Sequence, residues 1–310
     1  MHDAESEGVT AAPLPARAAP PRLAIHIYGW LLLLPAAVLL VAFTHYPAVE
    51  TFIDSFYSTP KGRRAAALVG LDNYQAMLAD PVFWRALANN AVYAASVIPL
   101  TIALALAMAL LINGKIAGRA FLRLSYFTPT VLPMIAVANI WLFFYSPGYG
   151  LLDQILGLFG AATHNWLGSR DSALACLIAV AVWKDAGFFM IFYLAALQQI
   201  SPQLAEAAAL EGAGRWYFFR RVTAPLLMPT TLFVLVNAVI NSFRLVDHIV
   251  VMTQGGPDNA TALLLFYIYE VGFKFWDTAY AATLTVVLLI VLAVFALGQF
   301  VILDRRIHYQ

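Results

Sequence analysis

The residues whose types and spacing could do chemistry begin with a short acidic and small-residue run. It reads Glu206-Ala207-Ala208-Ala209-Leu210-Glu211-Gly212-Ala213 and is followed by Pro225-Leu226-Leu227-Met228-Pro229. The chemistry on offer is docking. Ser201-Pro202 is a strong helix start, because Ser201 can cap and Pro202 fits the first helical position, where its missing N–H costs nothing. Residues 203–211 are mostly good helix formers. Alanines let such a helix enter a groove closely, and Glu206 and Glu211 offer charge to a partner. Gly212 permits a sharp turn, and Gly214 reads as a second point of backbone freedom. Trp216 to Val222 reads as another short helix, aromatic on one side and basic through Arg220 and Arg221.

A second set of polar residues lies in apolar sequence. Asn237, Asn241, Arg244 and His248 recur at i, i+4, i+7 and i+11, within about 60° of one another on a helix, with Asp247 at the edge of that face. Charges in apolar spans are costly and mark pathways or pairs. The stripe is expected to line a central path, with Arg244 and His248 near its outer mouth. In the competing reading, Arg244 snorkels to headgroups or pairs with Asp247. Lys184 and Asp185 are neighbours and cannot face each other on a helix, so each needs a partner elsewhere. Lys184 is open between a structural tie and a substrate contact. Trp183 could stack on a sugar ring or simply pack.

Bond-making chemistry finds no support. The six histidines are scattered, and no Ser/His/Asp or H-E-x-x-H arrangement exists. There is no Cys/His cluster with metal spacing. No G-x-x-x-x-G-K-[ST] loop is present, and Gly255-Gly256-Pro257 is a turn signal. Cys176, the one cysteine, reads as a small buried hydrophobe.

The elements that must position these residues follow from composition. The chain has 310 residues, 62% hydrophobic and 11% charged. A soluble domain is about 25% charged, so this chain is an all-α integral membrane protein. Six runs reach the roughly 20 residues needed to span a bilayer: about 25–45, 87–112, 121–145, 172–198, 225–248 and 280–303. Residues 1–24 read as a disordered cytoplasmic tail, 25–310 as the transmembrane domain, and 200–224 as its cytoplasmic loop. With both termini inside, the inner side holds Arg17, Arg22, Lys115, Arg119, Arg123, Arg215, Arg220, Arg221, Arg305 and Arg306. The outer side holds only Lys61, Arg63, Arg64, Arg85, Arg170 and Lys274. On the outer side, residues 71–85 are expected to form an amphipathic helix broken at Pro81. Residues 260–275 are expected to form an interfacial or re-entrant helix.

The run at 206–213 with Pro225 and Pro229 resembles the EAA loop of ABC importer permeases: E-A-A, three residues, G, then a proline pair. Gly70-Leu71-Asp72-Asn73-Tyr74, Pro133 with Asn139-Ile140-Trp141, and Thr253-Gln254-Gly255-Gly256-Pro257 with Tyr267-Ile268-Tyr269 resemble the same family. The set is most similar to the carbohydrate branch, and the ending Arg305-Arg306-Ile307-His308 is closer to its glycerol-3-phosphate members. Glu211 stands where the family more often has Asp. The resemblance implies a six-span type I permease fold in the bacterial inner membrane. It implies a non-catalytic subunit translocating a sugar or related solute. Its partners would be a second permease, two ATPases and an extracytoplasmic binding protein. There would be no cofactor on this chain, and Mg-ATP would sit on the ATPase. Glu206, Ala207, Ala208, Glu211, Gly212, Ala213 and Pro225 would couple it to that ATPase. The rival is an ion-coupled secondary transporter, which needs a carboxylate relay and usually internal repeats. Only Asp185 and Asp247 offer themselves, and no repeat is evident. An intramembrane enzyme would need a constellation that is absent.

Overall fold

Prolines and a few polar caps decide where the helices start and bend. The computed structural model describes residues 22–114 and 116–304. The tail through residue 21, Lys115 and the ending 305–310 lie outside the described residues, and with them four of the basic residues that set the orientation. The chain divides into two units, Met1–Glu50 and Thr51–Gln310. The first contains α1 (Arg22–Leu40), a π turn (Val41–His45) and the start of α2 (Tyr46–Asp54). Tyr28–Asp54 is apolar enough to cross a membrane. The π turn stands just before Pro47, which has no N–H to give the previous turn.

The second unit opens with a loop held by two isolated bridges, Tyr57–Leu68 and Lys61–Arg64. Next come α3 (Asp72–Ala79) and α4 (Pro81–Asn113). Asp80 caps α4 by accepting from the Val82 N–H at 2.8 Å, and Pro81 occupies the first turn. The helix expected over 71–85 is interrupted at Pro81 as read: α3 ends at Ala79, Asp80 is extended, and Pro81 opens the long helix.

The next pair is α5 (Arg119–Val131) and α6 (Met134–Phe144), bent by 103°. The expected single span over 121–145 is thus an elbow. Pro133 cannot donate to the turn before it, and it forces Leu132 into an extended conformation (φ −72°, ψ 136°). Then follow α7 (Leu151–Gly157), α8 (Ala173–Gln199), α9 (Pro202–Leu210) and α10 (Arg215–Phe218). A π turn (Phe219–Thr223) leads to α11 (Ala224–Leu226), α12 (Met228–Arg244) and α13 (Asp247–Met252). After these come α14 (Leu264–Tyr269), a third π turn (Glu270–Lys274) and α15 (Thr278–Asp304).

The helices α4 and α8 run in the same direction. Tyr93 and Val97 share a buried cluster with Leu177 and Val180, while Ala109 and Ile112 share another with Tyr193 and Leu197. Ala105 and Ala109 of α4 are buried along this seam. Small residues allow the close helix approach that substitutes for a hydrophobic driving force in lipid. A third cluster joins Phe83 and Ala86 to Val239, Leu264, Tyr267 and Leu284. Here the interfacial reading of 260–275 is corrected. Leu264, Phe266 and Tyr267 are buried against protein. Polar groups of α4 hold the segment: Asn89 donates to the carbonyls of Asn259 and Ala262, and Asn90 accepts from the Leu264 N–H.

Candidate functional site: the α9 loop and the elbow it hangs from

The helix α8 runs through Ile200 directly into α9. Ser201 Oγ accepts from the Gln203 N–H at 3.3 Å, and Pro202 is the first helical residue. None of the nine residues of α9 is buried. Its end explains the E-A-A-x-x-x-G spacing. The Ala213 N–H reaches back to the Ala208 carbonyl (2.9 Å) and the Gly212 N–H to the Ala209 carbonyl (3.1 Å). Gly212 sits at φ +76°. These paired bonds are a Schellman cap, which needs a left-handed residue two positions beyond the last helical one. A Cβ on Gly212 would meet nothing, so the demand for glycine is conformational and not spatial. Gly214 differs from its reading: at φ −68° and ψ 156° it needs no special freedom.

Glu206, Ala207, Glu211 and Pro225 are exposed, and Ala208 and Ala213 are half-buried. Leu210 is 91% exposed. Sequence reasoning passed over Leu210, although it is a large apolar residue on a helix otherwise built of small and acidic ones. Leu210 is thus an exposed apolar residue beside Glu206 and Glu211, which form no ion pair among the described residues. Beside α9 lies an open concavity of about 740 Å³ lined by Gln199, Ile200, Leu204, Leu226 and Pro229, among others.

Lys184 resolves as a tie. Its Nζ donates to the carbonyls of Leu132 (2.8 Å), Pro129 (3.3 Å) and Thr130 (3.4 Å). The Pro129 carbonyl would normally accept from residue 133, which is proline and has no N–H. Three ammonium protons thus meet three carbonyls left open by the elbow. One turn along, Gly187 lets α5 come so close that a Cβ there would stand 1.9 Å from the Tyr126 carbonyl oxygen. Trp183 packs edge-on against Trp141 of α6, with centroids 5.6 Å apart, and remains 40% exposed.

The four-residue polar stripe is not continuous. The helix breaks at Leu245 (φ −83°, ψ 116°) and Val246, so the 100° progression stops after Arg244. His248 begins again on α13. It is fully buried and bonds Tyr93 Oη at 3.1 Å, so it does not line an open path in this conformation. Asn237 donates to its own helix at the Phe233 carbonyl. Arg244 and Asp247 are exposed and form no ion pair with each other among the described residues. Asn241 and Asp185 face a tight internal space with Tyr93, Thr101 and Ser242. Thr101 Oγ1, which lines this space, and the buried His248 Nδ1 have no hydrogen-bond partner among the described residues. Asn90, Tyr93 and Thr101 were missed in the sequence. Their signal was three polar residues within about 80° on the longest apolar helix.

Residues 98–309 match the family described as binding-protein-dependent transport system inner membrane component. The chain is 33% identical to the sulfoquinovosyl glycerol transport system permease protein of Agrobacterium fabrum, over 83% of this chain and 84% of that one. It is 33% identical to the lactose transport system permease protein of Rhizobium radiobacter (88% and 93% covered). It is 32% identical to the sn-glycerol-3-phosphate transport system permease protein of Salmonella typhimurium (91% and 95%). A crystal structure of a bacterial ABC transporter that imports the acidic polysaccharide alginate shares the fold. Its matching chain gives a TM-score of 0.80 at 24% identity, with 92% and 99% covered. The chain therefore belongs to the binding-protein-dependent transport system inner membrane component family, as a multi-pass permease subunit of an ABC importer.

Proposed function

We propose that α9 and its cap are the point at which a separate ATPase drives this permease. The observation that carries the reading is the exposed Leu210, flanked by Glu206 and Glu211, which form no ion pair among the described residues, on a helix whose exit angle Gly212 fixes. Glu206, Ala207, Ala208, Glu211, Gly212 and Ala213 form the docking surface, and Pro225 opens the return into the membrane. On this reading α9 and both termini lie in the cytoplasm. The partners are two ATPases carrying Mg-ATP, a second permease and an extracytoplasmic binding protein. The chain needs no cofactor and performs no chemistry of its own. The solute is a sugar or a related compound such as a glycerol phosphate, in line with the substrates named for its relatives.

The route of force follows from connectivity. A push on α9 moves α8, to which it is joined by Ile200 and Ser201. Lys184 and Gly187 lock α8 to the elbow of α5 and α6, so both turn with it as a rigid body. Trp183, Asn237, Asn241, Arg244 and Asp247 remain the residues of this chain that could face the solute. An exposed Arg244 favours an anionic one, and Arg244→Gln should then lower uptake of anionic solute selectively. In the full assembly, Glu206→Lys should reduce uptake at least about tenfold, equivalent to ~1.4 kcal/mol of docking. Insertion into the membrane should be normal. Full uptake by that variant would overturn the coupling role.

A further inference from the structure

The stretch after the α9 cap carries positive charge that no carboxylate among the described residues takes up. Arg215, Arg220 and Arg221 are exposed. The ion pairs among the described residues are Arg170–Asp258 and Lys274–Glu270, and they include none of the three. Large aromatic residues stand among these arginines. Trp216 is 72% and Tyr217 61% exposed. Trp216 stacks on Phe219 with centroids 5.6 Å apart, and the Arg221 guanidinium lies 5.9 Å from the Tyr217 ring centroid. Trp216, Tyr217, Arg220 and Arg221 together line an open concavity of about 470 Å³.

Its position along the chain limits what can fill it. The segment continues through the π turn and α11 into α12, a span that begins at Met228. The concavity therefore lies within two or three turns of the hydrocarbon, at headgroup depth. Trp and Tyr favour that layer because one side of the ring is apolar and the other polar. Arginine's planar fork matches phosphate oxygens. The docking surface on α9 has the opposite character: acidic, apolar at Leu210, and set off by the Gly212 turn. One protein groove complementary to α9 would be a poor match for α10.

We propose that this concavity is a headgroup site for an anionic phospholipid. Arg220 and Arg221 hold the phosphate, and Trp216 and Tyr217 flank the glycerol. The bound lipid pins the start of α12 at the membrane surface, so that a push on α9 goes into α8 and is not lost in lifting the loop. The lipid site itself needs only the membrane location; its use in directing the push rests on the coupling role proposed for α9.

The test is native mass spectrometry of the full chain in detergent, offered equal amounts of phosphatidylglycerol and phosphatidylcholine. The wild type should retain phosphatidylglycerol in preference. Arg220→Gln with Arg221→Gln should lose that preference by roughly tenfold or more, and Arg220→Lys with Arg221→Lys should keep part of it. Arg119→Gln with Arg123→Gln should leave it unchanged. Glu206→Lys should also retain the lipid, whatever it does to uptake, so this site and the coupling role can fail separately. No preference in the wild type, or full retention in the double Gln variant, would overturn the proposal. So would displacement of the lipid by inorganic phosphate, which would mark a free-anion site. Unchanged lipid retention with loss of the co-purifying ATPase would overturn it in favour of protein docking.

Discussion

The elbow around Lys184 and the loop around α9 hang from the same helix and are built in opposite ways. At the elbow the carbonyls of Pro129, Thr130 and Leu132 are met inside the chain. Three carbonyls freed by the bend take the three protons of one ammonium, and Gly187 brings α5 and α8 into backbone contact. At the loop, the backbone is satisfied by its own caps while the side chains are left without partners. Glu206, Glu211 and Leu210 project freely. The difference separates a part that must keep its shape from a part that, on the reading proposed above, is completed by a partner. Loss of a group should therefore cost stability at the elbow and transport at the loop.

The sharpest way to break this contrast is Gly187→Leu. The added atoms would meet the Tyr126 carbonyl and force the helices apart, at a cost of about 3 kcal/mol or more. Thermal unfolding in detergent should show a large drop; an unchanged midpoint would mean that the contact can relax. Lys184→Met comes next. It keeps the length of the side chain but strands three partly buried carbonyls, and it should cost about 2 kcal/mol. Transport by the surviving folded fraction should persist, because on this reading Lys184 is a tie and not a solute contact.

Acid should affect a third region and spare both of these. Asp80 is pulled two ways. Burial opposes its ionisation, but hydrogen bonds from Tyr267 (2.5 Å), Tyr280 (2.7 Å) and the Val82 and Phe83 N–H groups outweigh it. Asp153 is held low by the Gly148 N–H (2.8 Å) and then by Trp166 Nε1 (2.6 Å). Both carboxyls thus lie below the ordinary 3.8. Their contribution to stability is complete above that value and is lost as pH falls through the lower folded-state values. Hydrogen exchange below pH ~4 should quicken around α3, α7 and α14 while the elbow keeps its protection, because its acceptors are carbonyls. Uniform loosening would count against the distinction.

Two smaller effects probe the loop. Gly212→Val places a β-branched residue at φ +76° and should cost about 1–2 kcal/mol locally. It should barely move the global unfolding midpoint, yet uptake driven by ATP should fall steeply. Ser201→Ala removes a side-chain cap of 3.3 Å and should cost only about 0.5 kcal/mol. Equal effects of the two on uptake would mean that helix content matters and the exit angle does not.

The legible parts of the chain were those governed by local rules. The apolar runs marked the helices of the membrane domain, because lipid leaves a backbone no alternative. The sharp turn expected at Gly212 was legible because it is local: the bonds from Ala213 to Ala208 and from Gly212 to Ala209 close within six residues. Pro133 was visible, but a proline alone does not say whether a helix kinks or folds back. Here the bend reached 103° because Lys184, more than fifty residues later, could satisfy the carbonyls it opened. The stripe from Asn237 to His248 misled for a related reason. A fixed 100° step holds only while the helix lasts, and it stops at Leu245.

By itself, then, the sequence determined that this is a membrane helix bundle, and where α9 starts at Ser201-Pro202 and turns at Gly212, since each rests on hydropathy or on bonds between near neighbours. Only the tertiary structure decided that Lys184 is a tie, that residues 264–267 are core, and that His248 is turned inward to Tyr93. Those outcomes depend on which distant carbonyl, amide or hydroxyl arrives opposite a polar group, and periodicity along one helix carries no information about its neighbours.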